Sequence, residues 1–137
     1  MADLSITPAS VGLTASTAVS SVQVGEAVTQ GQPGYLNATD GKYYLSQADD
    51  TSVAAAATVI FLTGAPADGY AVVARQSATI DIGATLTIGT MYVVSATKGG
   101  VAPATDLTSG DYVTQIGLAK TTSSIKLTML ATGAQVA

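Results

Sequence analysis

The chain has 137 residues, of which 47% are hydrophobic, so it is long enough for one domain with a substantial core and too short for two. Its formal net charge is −4 and its five basic residues stand apart from one another, which excludes the basic patch that a nucleic-acid partner would require. Cysteine and histidine are both absent, which excludes disulfides, thiolate metal sites and histidine-based catalysis.

The first 21 residues are dominated by Ser, Thr and Ala and predict an extended N-terminal arm, followed by a single β domain over residues 22–137. Twenty extended residues can span roughly 65 Å, whereas a domain of this size has a radius of gyration of about 14 Å. The apolar residues of the arm recur at two-residue intervals, as in a strand that is added to a partner. They are the predicted contacts with that partner: Leu4, Ile6, Val11 and Leu13. A disordered terminus is the alternative interpretation.

The N-terminus has no basic region of the kind that begins a secretion signal. The longest apolar run, Val53 to Leu62, is far shorter than the roughly 20 residues that a membrane-spanning helix requires. We therefore expect neither a secretion signal nor a membrane partner.

After the arm, the stretch YLNATDGKYYL predicts a β-hairpin in which Asp40 and Gly41 supply the turn. The next stretch, ADDTSVAAAAT, predicts one short helix near residues 48–57, with Asp49 or Asp50 as its N-cap. Beyond it, apolar and polar residues alternate over 79–82, 85–88 and 125–129, with Gly or Pro in most gaps. This pattern predicts an all-β fold, a compact barrel or sandwich of short strands with at most one short helix.

A short phrase occurs three times, as GEAVTQG from Gly25, GATLTIG from Gly83 and GDYVTQIG from Gly110. The glycine suits a tight entry into a strand, and the β-branched Thr suits its outer face. We expect the apolar residue before each Thr to face the core; these residues are Val28, Leu86 and Val113. The starts are unevenly spaced, so the phrase does not indicate a solenoid.

No residue pattern points to catalysis, so we expect a protein that is not an enzyme and that uses no cofactor or metal. The segment TSSIK is interpreted as a turn followed by a strand and not as a Ser-Lys nucleophile pair, and TKGGVAPA lacks the order of a phosphate-binding loop. Asp49 and Asp50 are adjacent, and nothing in the sequence pairs with them as a glycosidase would need. Together with Asp40 they are candidate calcium ligands, but they lack EF-hand spacing and suit solvated turns better.

One rival interpretation is a carrier domain, because VGEAVTQGQPGYLNATDGKYYL resembles the entry of biotinyl and lipoyl domains. In those domains the modified lysine lies at a hairpin tip beside Met or Asp and Ala. Here Lys42 follows Asp40-Gly41 and precedes two tyrosines, so neither flank matches.

Most of the chain, from about Val19 to Leu130, resembles the small head decoration or cement proteins of tailed bacteriophages. The resemblance lies in the order of VGEAVTQGQPGYLNATDGKYYLSQADD, a run of alanines, a T-G turn, IGATLTIGTMYVVSATKGGVAPATDLTSGDYVTQIGLA and a closing IKLTM. It implies a structural virion protein, usually a homotrimer, that sits on the outer surface of the capsid and binds the major capsid protein. A terminal arm would tie neighbouring capsid subunits together and stabilise the head against internal pressure.

Two further functions remain open. One is a tail or fibre subunit, which would have the same low charge, since only 10% of the residues are charged. The other is a carbohydrate-binding β module that stacks sugars on tyrosines. Its candidate residues are Tyr35, Tyr43, Tyr44, Tyr70, Tyr92 and Tyr112.

Overall fold

The computed structural model describes residues 3–15 and 19–137, with the backbone alone for residues 13–15. Within these residues the chain forms eleven strands, one α-helix and two single 3₁₀ turns. The helix is α1 (Ser52–Ala55), and the 3₁₀ turns are Pro8–Ser10 and Ala104–Asp106. The strands are β1 (Val11–Ala15), β2 (Val19–Gln23), β3 (Pro33–Leu36), β4 (Tyr43–Leu45), β5 (Val59–Phe61), β6 (Tyr70–Ala74), β7 (Thr79–Ile82), β8 (Met91–Val94), β9 (Val101–Pro103), β10 (Tyr112–Ala119) and β11 (Ser124–Gln135).

The strands form two antiparallel sheets. One has six strands in the order β1-β7-β11-β10-β8-β9, and the other has five in the order β2-β6-β5-β3-β4. The predicted all-β fold with one short helix is therefore confirmed. In the described part of the chain neither sheet closes on itself, so of the two predicted architectures the sandwich is the correct one.

The main core lies between the two sheets. The six-stranded sheet contributes large aliphatic side chains such as Ile80, Ile116 and Leu127, all fully buried. The five-stranded sheet contributes Ile60 and Ala74 to the same cluster. Each sheet thus presents one strongly apolar face to the other, and packing the sheets face to face buries both.

A second cluster covers the opposite face of the five-stranded sheet. Neighbouring residues of a strand point to opposite faces, so β5 sends Ile60 to the main core and Val59 and Phe61 to this second cluster. The segment after β2 folds over it and contributes Val24 and Val28, both buried. The five-stranded sheet is therefore apolar on both faces.

The predicted hairpin and helix are present, with corrections to their details. The strands β3 and β4 pair around a loop in which Gly41 has a positive φ of +72°. Asp40 does not have a positive φ, so glycine alone supplies this conformation in the predicted pair of turn residues. The helix begins after Thr51, whose side chain accepts a hydrogen bond from the Ala54 N–H group. Thr51 is thus the N-cap, and the prediction of Asp49 or Asp50 was wrong because the helix starts one or two residues later than expected.

The repeated phrase has a more varied role than predicted. Val28 and Leu86 are buried as expected, but the first two copies lie in loops between strands. The third copy alone leads into a strand, β10, and there Val113 is half-buried while Thr114 faces inward and is buried. The phrase needs its first glycine at Gly83 and Gly110. There φ is +76° and +93°, a backbone conformation that glycine adopts readily.

The predicted extended arm over residues 1–21 is not separate from the β domain in the described residues. Val11–Ala15 forms β1 and pairs with β7, and Val19–Gln23 forms β2 and pairs with β6. Before these strands, Leu4 N donates to Val101 O and Thr7 N donates to Gly83 O. Because these hydrogen bonds satisfy the N-terminal backbone within its own domain, the segment is part of the sandwich.

Candidate functional site

The four predicted partner contacts do not form an exposed row. Leu4 and Ile6 are partly buried and pack against the main core, and Val11 is buried beside Gly31 and Gly83. For Leu13 the structure describes the backbone, which pairs with Ile80. The apolar alternation at Leu4, Ile6 and Val11 therefore serves the chain's own packing, and their contact with a partner stays a prediction.

A further contact fixes the beginning of the described chain. The Ser95 hydroxyl donates to an Asp3 carboxylate oxygen at 2.6 Å, and Ser95 is 3% exposed. Asp3 also lies against Gly100. A polar anchor of this kind precedes the apolar contacts of Leu4 and Ile6, so the whole segment from Asp3 to Val11 is tied to the sandwich.

The candidate calcium ligands do not converge in the structure. Asp40 accepts from the Lys42 N–H group within its own turn, and Asp49 accepts from the Gln47 side chain. Across residues 3–15 and 19–137, no group of three or more acidic side chains is close enough to hold a metal ion. These aspartates are turn residues in the part of the chain that the structure describes.

The tyrosines separate into buried and exposed groups. Tyr92 is buried, and its hydroxyl accepts a hydrogen bond from the Thr87 N–H group. Tyr43 is also buried, under the guanidinium of Arg75, which lies 5.9 Å from the ring centroid. Tyr35 and Tyr44 form a tilted ring pair with centroids 6.2 Å apart. Tyr70 is 70% exposed. The structure therefore does not bring the six tyrosines together into one sugar-stacking surface.

A small charged network surrounds the hairpin turn. The Tyr44 hydroxyl donates to Asp40 at 2.6 Å, and Lys42 forms an ion pair with Asp68 at 2.6 Å. The hydrogen bond from Tyr44, followed by that from the Lys42 N–H group, holds the pKa of Asp40 below its ordinary value of 3.8. The same bond raises the pKa of Tyr44, and the ion pair raises that of Lys42. Lys42 is thus engaged as an ion-pair partner in the turn.

Replacing Tyr44 by Phe is expected to raise the pKa of Asp40 toward its ordinary value, because the strongest hydrogen bond to the carboxylate is removed. The lowered pKa stabilises the fold above the ordinary aspartate pKa, and this stabilisation is lost as the pH falls through the lowered value. An NMR titration of the Asp40 carboxyl checks the shift. The ring of the variant still covers Gly25, so the fold should be retained. An unchanged Asp40 titration in the folded variant would refute the assignment.

Strands β2 and β6 lie next to each other at one end of the five-stranded sheet, and together they carry an exposed face without charged residues. The register pairs Ser21 with Val72 and Gln23 with Tyr70, and Val19 lies on the same face. Val19, Val72 and Tyr70 are 40%, 37% and 70% exposed. We call these five residues the β2–β6 face. The sequence did not reveal this face because Tyr70 and Val72 alternate with Ala71 and Val73. Both faces of β6 are therefore apolar in the sequence pattern, which does not show which of them is exposed.

Clefts open on the surface of the described residues beside β7 and beside β11. The larger, about 390 Å³, lies between the N-terminal segment and the end of β7 and is lined mainly by hydroxyl groups with the carboxylate of Asp81. The smaller, about 290 Å³, is mostly apolar and lies beside β11. In the described residues the larger cleft combines the carboxylate of Asp81 with several hydroxyl groups.

No protein-family model matches the chain, and no curated protein is significantly similar to it. Among the described residues, no helix is long and apolar enough to cross a membrane. A functional assignment therefore depends on the chain's own sequence and surface.

Proposed function

We propose that this chain is a structural virion protein, a decoration or cement subunit that binds the outer surface of the major capsid lattice and stabilises the head against internal pressure. The proposal includes no reaction, cofactor or metal. Its first support is the resemblance from about Val19 to Leu130 to phage head decoration proteins. Its second is a β sandwich whose surface carries few charges.

The observation that carries the proposal is the β2–β6 face. An exposed tyrosine and two partly exposed valines share it with Ser21 and Gln23, and none of the five is charged. Exposed apolar side chains that cluster on one face are a feature of interaction sites. We assign this face to contact with the major capsid protein, in place of the N-terminal residues that pack inward.

Self-association is also part of the proposal. The chain has 14 charged residues in 137 and leaves large apolar side chains exposed at several further positions. Low surface charge disfavours a soluble monomer and favours repeated subunit contacts. The homotrimer rests on the resemblance to decoration proteins, in which three subunits share a three-fold position of the lattice.

Binding to heads tests the proposal. Purified chain is added to heads that were assembled without it by the virus that encodes it, and bound chain is measured after sedimentation. We expect saturable binding and a higher temperature of DNA release from filled heads. Val72→Glu should weaken binding severely, because it buries a charge in the contact. Val53→Glu is the matched control, since Val53 is 61% exposed on α1, outside that face.

The outcomes separate the candidate functions. Heads that bind no chain contradict the proposal, and binding to tails or fibres instead would favour the alternative structural role. Equal losses of head binding in Val72→Glu and Val53→Glu would show that the β2–β6 face is not the contact surface. They would not contradict the decoration role.

A further inference from the structure

Backbone hydrogen bonds hold together the three segments that form the larger cleft. The Thr7 N–H group donates to the Gly83 carbonyl at 2.8 Å, which fixes the N-terminal segment at the end of β7. Gly83 permits this close approach, since a Cβ there would lie 2.6 Å from the Thr7 carbonyl oxygen. The turn between β10 and β11 joins them because the Ile82 N–H group donates to the Ser123 carbonyl at 3.1 Å. The cleft is therefore part of the folded domain before any ligand binds.

Polar groups line most of this cleft, which has a volume of about 390 Å³. Beside the Asp81 carboxylate, it is lined by the hydroxyl side chains of Ser5, Thr7, Ser10, Thr85 and Ser123. None of the lining residues in the described chain is basic or aromatic. A hydroxyl group can accept as well as donate, whereas an ionised carboxylate only accepts. The cleft thus offers hydrogen-bond acceptors around one negative charge.

Asp81 points away from the main core. Its neighbours Ile80 and Ile82 are fully buried in that core, so the Asp81 side chain lies on the opposite face of the six-stranded sheet. On that face it is opposite Gly12 of β1 and Ser124 of β11. A Cβ at Gly12 would meet no atom within 4 Å. Strand β1 therefore leaves the space beside the carboxylate open.

The charge of Asp81 is not compensated within the described chain. No ion pair or hydrogen bond among residues 3–15 and 19–137 ends on its carboxylate, and the ion-paired carboxylates there are those of Glu26 and Asp68. Lys126 lies diagonally across from Asp81 on β11 and forms no ion pair with it. Asp81 is half-buried, so the carboxylate has lost part of its hydration without gaining a partner. A cation in the cleft would provide that partner.

We propose that the larger cleft is a binding site for a guanidinium group, which pairs with the Asp81 carboxylate. A guanidinium group carries several N–H donors in a planar fork and pairs with a carboxylate through two parallel hydrogen bonds. Its remaining donors would reach the hydroxyl groups of the cleft. The net charge of −4 also attracts a cation. A sugar fits less well, because no aromatic ring lines the cleft for it to stack on.

The proposal is independent of the decoration role. The guanidinium group can belong to a small molecule or to an arginine side chain of a partner protein, and the chemistry that recognises it is the same. Methylguanidinium and N-acetylarginine amide are the probes that separate these two sources. Tighter binding of the arginine derivative identifies a protein side chain as the ligand, and equal binding identifies a small cation.

An NMR titration of the full chain at low ionic strength tests the site. Methylguanidinium at millimolar concentration should shift the amide signals of Gly83, Thr85 and Ser123 in a saturable way. Methylurea has a similar shape and no charge, and it should leave these signals nearly unchanged. Glucose should also leave them unchanged. Equal shifts with methylguanidinium and methylurea, or saturable shifts with glucose alone, overturn the proposal.

A matched pair of variants separates direct contact from general attraction of cations. Asp81→Asn should weaken methylguanidinium binding about tenfold, because a charge-assisted hydrogen-bonded pair is lost. Asp50→Asn removes the same charge from an exposed position outside the cleft and should leave binding nearly unchanged. Circular dichroism of both variants should match that of the original chain. Equal weakening in the two folded variants, or none in Asp81→Asn, overturns the site and leaves the head-binding test unaffected.

Discussion

A chain that lacks residues 2–14 is expected to lose on the order of 5 kcal/mol of its free energy of unfolding, from the burial of Leu4, Ile6 and Val11 alone. The deletion also removes most of β1 and so exposes the edge of β7. Small domains are stabilised by about 5–15 kcal/mol in total. Thermal and denaturant unfolding should therefore show a greatly destabilised or unfolded chain.

The control for this deletion is a full-length chain with exposed positions of the same segment changed, Ala9→Ser and Ser10→Ala. Both residues are exposed, so their replacement should change the stability by less than about 0.5 kcal/mol. An unchanged melting profile for the deletion would show that the segment is a dispensable arm after all.

Phe61→Ala is expected to cost about 3–5 kcal/mol, because Phe61 is fully buried in the second cluster. Its ring occupies the space above Gly34, where an added Cβ would lie 2.6 Å from the ring. Gly34→Ala should therefore destabilise the original chain by roughly 1–3 kcal/mol through overpacking. In the Phe61→Ala background the same change should cost much less, since the ring is gone.

Urea unfolding of the two single variants and the double variant measures this coupling. Gly12→Ala is the matched glycine control, since a Cβ there meets no other atom within 4 Å. Additive losses would mean that the ring and the glycine are not in contact, which would contradict the packing of β3 against β5.

The sequence predicted those elements whose determinants are local. The hairpin depends on a glycine in its turn, and the helix depends on a run of alanines with a threonine cap beside it. The alternation at 79–82 and 125–129 likewise identified strands β7 and β11, because each has one buried face. The helix cap was missed because four consecutive polar residues, Asp49 to Ser52, precede Val53 and the alanines, and each is an acceptable cap.

The N-terminal segment could not be predicted because its partners are distant in sequence. β1 pairs with β7 some seventy residues later, and the alternation of apolar residues is the same whether a strand joins its own sheet or a partner's. The β2–β6 face was hidden for a related reason. Ala71 and Val73 are buried because the segment after β2 covers their face of β6, whereas Tyr70 and Val72 are exposed on the other face, and composition does not encode this difference directly.

The most direct measurement of the decoration role is an electron cryomicroscopy map of heads with the chain bound, compared with heads that lack it. Decoration predicts extra density on the outer surface at three-fold or quasi-three-fold positions, fitted by the two-sheet sandwich with the β2–β6 face against the capsid protein. Identical maps, or density confined to the tail, would contradict it.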